Sequence, residues 1–192
     1  MPIQKISREE MMRAAAEVFR KQGYHRTSMA DLAEACGLTK GVFYHHFESK
    51  EELMKAILES VHAYFNATLF SLAYSETYSP EEKLNSFLHK AQKIFFGGAG
   101  GCLMGNTVLE TADTTQDFVP YLQAFFRDWV SALAAIYQSV YEEDAAKRIA
   151  EQTVQEFEGA VMFYRLYGEK RYLTEAVERA RFRLLGDGAS VC

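Results

Sequence analysis

An all-α fold is expected for this chain, and three observations lead there. Only three prolines occur in 192 residues. Long segments repeat apolar residues at the 3.6-residue spacing of amphipathic helices, where a strand would alternate every second residue. Serine, threonine and proline start signals mark off segments of helical length. The pattern resolves into about nine helices in two parts. Residues 1–50 read as a three-helix head with a helix-turn-helix, and residues 51–192 as a helical bundle.

The first helix opens at Ser7-x-x-Glu10, a capping box, and carries Met11, Ala14, Ala15, Val18 and Phe19 as its apolar stripe. Gly23 ends it, as a glycine past the last turn commonly does. Tyr24, His25 and Arg26 link onward and place cations where a phosphate can pass. A second, short helix follows Ser28 and reaches Cys36. Gly37 allows a sharp turn because it tolerates positive φ, and Leu38 is placed to plug the angle between helices. Thr39 is an N-cap for a third helix from Lys40 to about His46. Two short helices joined by a glycine-containing turn make the helix-turn-helix, whose second helix enters the major groove of DNA.

The residues from Thr27 to Leu53 carry a more specific likeness. Thr27-Ser28-Met29, Asp31-Leu32-Ala33, Ala35, Gly37-Leu38, Gly41 and the run Val42-Phe43-Tyr44-His45-His46-Phe47 are followed by Ser49-Lys50-Glu51-Glu52-Leu53. This stretch resembles the N-terminal domain of the tetracycline-repressor (TetR) family of bacterial transcription regulators. The resemblance covers about the first quarter of the chain. It implies a ligand-responsive DNA-binding regulator, most often a repressor, working without catalysis as a cytoplasmic homodimer. It also implies that Tyr44, His45 and Lys50 contact the DNA backbone. On the residues themselves, Ser28 and Thr39 head helices whose free N–H groups suit phosphate, beside Thr27. Lys40 starts the recognition helix, Gly41 lets that helix lie close to a duplex, and Val42 reaches either a thymine methyl or the core. Phe43 and Phe47, four apart, read as core.

The charge distribution agrees with such a head. The formal net charge of −5 by itself argues against nucleic acid, but residues 1–50 hold eight Lys/Arg and six Asp/Glu, leaving −7 for the remainder. Three cysteines, Cys36, Cys102 and Cys192, are odd and unclustered, which fits reduced thiols in a cytosol. No apolar run reaches membrane-spanning length, and the N-terminus lacks the pattern of a secretory signal.

Ser49-x-x-Glu52 opens a long helix running to about Leu72, with Leu53, Ile57, Val61, Tyr64 and Phe65 along one face. After a polar break at 74–79, Ser79-Pro80-Glu81-Glu82 is a helix start. Leu84, Phe87, Leu88, Ala91, Ile94 and Phe95 follow at helical spacing. Phe96 to Asn106 is glycine-rich but matches no phosphate-loop pattern, and reads as a loop leading into a helix from Leu103 to about Ala112. Further helices are expected over Asp117–Tyr141, Asp144–Tyr167 and Leu173–Leu185, with a disordered tail from Gly186 to Cys192.

One recognition helix covers only a few base pairs, so such proteins pair up and read two half-sites about 34 Å apart or a multiple of that. A palindromic double-stranded operator and a homodimer through the last two long helices are the expected partners. Val154, Phe157, Ala160, Val161 and Tyr164 form one face there, with Gly159 permitting close approach. That face serves either as the interface or as internal core; the resemblance implies the interface. An acidic, aromatic helical body can also enclose a pocket. A small apolar or aromatic effector is expected among some of Phe95, Cys102, Leu103, Met104, Phe126, Trp129, Met162 and Phe163, the competing reading being simple core filling. Cys102 precedes a helix start, where a thiol becomes more reactive, and Gly-Cys-Leu-x-Gly-Asn resembles a motif of some TetR branches. No cofactor, metal set or nucleophile motif is recognised; His62, His89 and Glu110 make no metal-ligand spacing, and Glu158 reads as a solvated position or a contact for a polar ligand group. Two rival classes share these residues: an all-α enzyme or small-molecule carrier, and an adaptor that binds a partner helix.

Overall fold

The computed structural model describes residues 6–97 and 100–185. The tail from Gly186 to Cys192, and Gly98 and Ala99 of the glycine-rich stretch, lie outside the described residues. Among the described residues there are nine α-helices and no strand. They are α1 (Arg8–Gln22), α2 (Met29–Ala35), α3 (Lys40–Tyr44), α4 (Lys50–Thr68), α5 (Pro80–Gly97), α6 (Leu103–Thr111), α7 (Val119–Tyr137), α8 (Glu143–Tyr167) and α9 (Arg171–Leu185).

The start signals act as read. Ser7 Oγ accepts from the Glu10 N–H at 3.2 Å while the Glu10 carboxylate accepts from the Ser7 N–H at 2.7 Å. Ser79 and Glu82 close the same reciprocal box ahead of α5. At α4 the box is displaced by one residue: Ser49 Oγ accepts from the Glu52 N–H, but Glu52 returns to the N–H of Glu48. Gly23 and Gly37 take φ of 85° and 66° to end α1 and turn from α2.

Two helices differ from expectation. The one after Ser49 stops at Thr68 and passes into a 3₁₀ turn over Phe70–Tyr74. Phe70 and Ala73 are both buried, and a 3₁₀ turn of three residues sets positions three apart directly above one another, where an α-helix offsets them by about 60°. The segment expected from Asp117 to Tyr141 splits likewise. A 3₁₀ turn, Gln116–Phe118, precedes α7, and Pro120 sits in the first turn of α7, where its missing N–H leaves no bond unmade.

Packing divides the chain into two compact units, Met1–His62 with Cys102–Leu122, and Ala63–Gly101 with Gln123–Cys192. Compactness therefore does not break the chain at residue 50. The first unit keeps the opening turns of α4, because Leu53, Met54, Ile57 and Leu58 are buried in its core with Met11, Ala15, Phe19, Leu32, Phe43 and Phe47. It also takes α6, with Leu103, Met104, Thr107 and Thr111 buried. Tyr24, in the link between α1 and α2, sets its ring edge-on to Phe118 at 5.1 Å.

The second unit is built on α5, α7, α8 and α9. Ala146 and Ala150 of α8, and Ala176 and Ala180 of α9, are fully buried small residues that let helix backbones approach. Tyr137 threads this core: its hydroxyl donates to the Ala180 carbonyl at 3.0 Å, and burial pushes its phenol up to about 12. Arg183 completes the polar part by donating to Thr153 Oγ1 and the Glu156 carboxylate. Val154, Phe157, Ala160 and Val161 are buried within the single chain, so that stripe is internal core. The large apolar residues left outside on these helices are Met162, Phe163, Leu166 and Tyr167 of α8, and Phe182 and Leu185 of α9.

Candidate nucleic-acid interface and effector pocket

The helix-turn-helix is held from inside and bare outside. Phe43 of α3 is fully buried and meets Phe47 at 5.8 Å between ring centroids. Opposite that anchor, Lys40, Gly41, Val42, Tyr44 and His45 are all exposed. Val42 is 44% and Tyr44 41% accessible, so Val42 belongs to the outer face and not to the core. Lys40 Nζ lies 5.8 Å from the Tyr44 ring centroid, which bunches a cation and a phenol hydroxyl on one side. A Cβ on Gly41 meets nothing within 4 Å, so nothing in the chain demands a glycine there. Thr39 caps α3 by accepting from the Val42 N–H at 3.4 Å.

Ser28 heads α2 with its own box. The Asp31 carboxylate accepts from both the Ser28 N–H and hydroxyl at 2.7 Å, and these bonds hold Asp31 below the usual carboxylate range. Ser28 remains exposed. Two other residues named with it lie differently. Thr27 is buried, its hydroxyl donating to the Gly23 carbonyl at 2.6 Å. Lys50 turns its ammonium onto the carbonyls of Tyr24 and Thr27, at 3.0 Å each, and over the Tyr24 ring at 4.2 Å. A buried hydroxyl and an ammonium already spent on two carbonyls leave little for a phosphate. Both residues brace the loop ahead of α2.

Tyr24 completes that brace. Its hydroxyl donates to the Glu51 carboxylate at 2.9 Å, and burial, then that bond and the negative charge, push its phenol well above the usual range. Glu51 is held below the carboxylate range by its own backbone N–H and by Tyr24. Sequence reading had no signal for this pair, since the partners are far apart in the chain and neither belongs to a capping pattern. Cys36 ends α2, and partial burial pushes its thiol up.

In the second unit, Trp129 is the centre of an aromatic cluster. Phe70, Phe95, Phe125, Phe126 and Phe157 surround it with ring centroids 5.8–6.5 Å away. Its indole N–H is buried without a hydrogen-bond partner. Phe95 continues from this cluster into a pocket of about 420 Å³ at the end of α5 and the second half of α8, shared with Phe96, Gly101, Val161, Tyr164 and Arg165. Phe96 and Tyr164 meet edge-on at 5.3 Å.

The eight residues expected around an effector divide between the two units. Phe95, Phe126 and Trp129 share the cluster. Cys102, Leu103 and Met104 are buried in the first unit, where the Cys102 sulfur accepts from the Gly105 N–H at 3.4 Å. Met162 and Phe163 point outward, 55% and 41% accessible. Their spacing misled because α8 is apolar on both sides near its end. Phe96, Tyr164 and Arg165 line the pocket without having been singled out for it.

Two family models match the chain. Residues 11–57 match "Bacterial regulatory proteins, tetR family", and residues 80–179 match "Transcriptional regulator LmrA/YxaF-like, C-terminal domain", which alone spans more than half of the chain. The chain belongs to the TetR family. Among curated relatives, an HTH-type transcriptional regulator from the lacX 3' region of Lactococcus lactis is 28% identical over 134 residues, 67% of this chain and 66% of that protein. TtgR of Pseudomonas putida is 45% identical over 56 residues, 29% of this chain and 27% of that one. The chain therefore spans less than two thirds of these relatives' length. The repressor DhaR of a Mycobacterium species is 24% identical over 161 residues, 81% of this chain and 80% of its own. Among solved structures, a TetR regulator from Legionella pneumophila superposes with a TM-score of 0.83 at 22% identity, covering 93% of this chain and 97% of its own. Escherichia coli NemR in its reduced form gives 0.77 at 20% identity, covering 90% and 94%. At these identities the structures establish a shared TetR fold.

Proposed function

We propose that this TetR-family chain is a ligand-responsive transcriptional regulator, a repressor that a small apolar or aromatic effector releases from its operator. The observation that carries this reading is α3: Phe43 fixes it from within while Lys40, Gly41, Val42, Tyr44 and His45 stand outside. In this reading residues 1–50 are the reading head and residues 51–192 serve effector binding and dimerisation. Lys40 and Val42 face base edges, while Tyr44, His45, and the exposed caps Ser28 and Thr39 take phosphates. Thr27 and Lys50 act indirectly, by holding the loop that orients α2.

The protein works in the cytoplasm as a homodimer on a palindromic duplex. Among the described residues no helix is long and apolar enough to cross a membrane. The pairing surface is the outward face of α8 and α9, with Met162, Phe163, Leu166, Tyr167, Phe182 and Leu185. Phe163 belongs to this surface and not to the effector site. The effector occupies the pocket floored by Phe95, Phe96 and Tyr164, whose volume suits a small aromatic molecule. It shifts the balance by binding the DNA-incompetent state better; equal affinity for both states would shift nothing.

Selection of duplexes from a random pool, followed by anisotropy titration on the enriched sequence, tests the proposal. Enrichment of an inverted repeat with half-site centres one or two helical turns apart supports it. A pool that shows no enrichment, or binding with no dependence on salt, refutes it.

A further inference from the structure

We propose that the groove between the second half of α7 and the first half of α8 is a separate small-molecule site, and that it takes a zwitterion with an apolar body. The inference goes beyond the effector reading and does not depend on it. The groove measures about 610 Å³, within the range of small-ligand sites. Its floor is apolar, made by Phe126, Val130, Ala134 and Ala135. Its walls are charged, and the two walls differ. The α7 side carries Arg127, and the α8 side carries Glu143, Lys147 and Glu151, a net of one negative charge.

These four charges are not consumed by one another. Glu143, Lys147 and Glu151 are spaced four apart on α8, the spacing at which helical ion pairs form. On α9 that spacing does close: Arg171 and Arg179 each reach Glu175, four positions away. Among the described residues, none of the four groove charges enters a salt bridge or a side-chain hydrogen bond. The groove thus offers acceptors on one wall, a guanidinium on the other, and an apolar surface between them. A ligand with an ammonium, a carboxylate and an apolar group satisfies all three together. Its carboxylate pairs with Arg127, its ammonium lies against Glu143 or Glu151, which stand about 12 Å apart along α8 on either side of Lys147, and its side group covers Phe126. Arginine suits the anionic end because its fork matches a carboxylate.

The site has a built-in reporter. Phe126 stacks nearly parallel on Trp129, at 6.2 Å and 14°, and Trp129 is the only tryptophan in the chain. A ligand seated on Phe126 alters the environment of that indole.

The test is calorimetry and tryptophan fluorescence on the full chain with three probes of one shape: L-phenylalanine, 2-phenylethylamine without the carboxylate, and 3-phenylpropionate without the ammonium. The expected result is one phenylalanine per chain, a change in indole emission, and affinity at least about tenfold above either single-charge probe. Arg127→Ala should bring phenylalanine down to the level of phenylethylamine. Glu143→Gln with Glu151→Gln should bring it down to that of phenylpropionate. Equal binding of the three probes, binding that Arg127→Ala leaves unchanged, or no heat at all with phenylalanine overturns the proposal. So does an Arg127→Ala protein that changes its assembly mass while the wild type takes no phenylalanine, since the groove is then a protein contact. The comparison of probes on the wild type stands without any variant, and Arg127 is exposed, so its removal leaves the core intact.

Discussion

At the scale of single residues, exposure separates the side chains that can meet DNA from those that hold the domain together. Lys40 and Tyr44 have their polar ends outside and near each other. Lys40→Ala with Tyr44→Phe should weaken binding to every duplex, related or not, and lower the salt slope by about one counterion for the lost lysine. Anisotropy at several salt concentrations reads both. Lys50→Ala belongs to the other class. It removes the ammonium from two part-buried carbonyls, of which that of Tyr24 keeps a bond from the Thr27 N–H, and a hydrogen bond to a charged group contributes about 1.5–3 kcal/mol. Its signature is therefore a lower urea midpoint, with DNA affinity affected only as the fold loosens. The Tyr24–Glu51 bond adds a pH dependence with two limbs. Glu51 is depressed in the fold, so its contribution is present above its unfolded pKa of about 4.3 and lost as pH falls through the folded value. Tyr24 is raised, so its contribution is present below about pH 10 and lost as pH rises through the folded value. Tyr24→Phe should flatten the alkaline limb of stability measured by urea denaturation between pH 9 and 11; an unchanged limb would count against the pair. Sequence could expose Lys40 and Tyr44 because a short helix with Phe43 inward leaves few choices, whereas Val42 stayed open between core and surface until its 44% accessibility placed it outside. It could not see that Lys50 folds back, since that depends on where the Tyr24 and Thr27 carbonyls arrive.

At the scale of elements, α6 meets the link that follows α1 through Glu110. Glu110 of α6 accepts from the His25 N–H at 3.2 Å, and its carbonyl lies 2.9 Å from His25 Nε2, which donates in the Nε2–H tautomer. A Cβ on Gly23 would come within 2.6 Å of the same carboxylate, at a φ of +85°. Gly23→Ala thus meets two penalties, backbone strain of about 1–2 kcal/mol and displacement of Glu110. Adding Glu110→Ala should restore the displaced part and leave the strain, so the urea midpoint of the double variant should fall between those of wild type and Gly23→Ala. Full recovery would show that the backbone carries no strain there. This contact also marks the limit of what was legible. Helix starts were plain from Ser7, Ser28, Thr39 and Ser79, because a cap and its N3 partner are neighbours in sequence. The grouping of α6 with α1 was not, because a contact 85 residues apart leaves no local trace. The 3₁₀ turn at 70–74 was missed for a related reason: Phe70 and Ala73 fit either helix type until burial chooses one.

At the scale of the whole molecule, the end of α8 poses the main question. Val154, Phe157, Ala160 and Val161 are buried in their own chain, yet Phe163, Leu166 and Tyr167 lie just beyond, outside. Phe163, Tyr167 and Tyr172 already touch one another at 5.3–5.8 Å between centroids. An amphipathic helix turns one stripe to its core, and α8 has two, so periodicity alone cannot tell which stripe belongs to the chain itself. Burial assigns the first stripe to the core and leaves the second exposed, which is the surface proposed for pairing. Phe163→Glu with Leu166→Glu should therefore act on assembly and not on folding, since Leu166 is 70% and Phe163 41% accessible in the single chain. Sedimentation should give a monomer whose thermal melt depends less on protein concentration. Operator affinity should drop by at least about 100-fold, because two linked heads gain about 10²–10⁴ over one and a lone head keeps only its half-site. Binding to a single half-site should stay as it was. A variant that remains dimeric places the pairing surface elsewhere. A variant that turns monomeric yet keeps full operator affinity means that the two heads are not read together, and the palindromic operator falls with them.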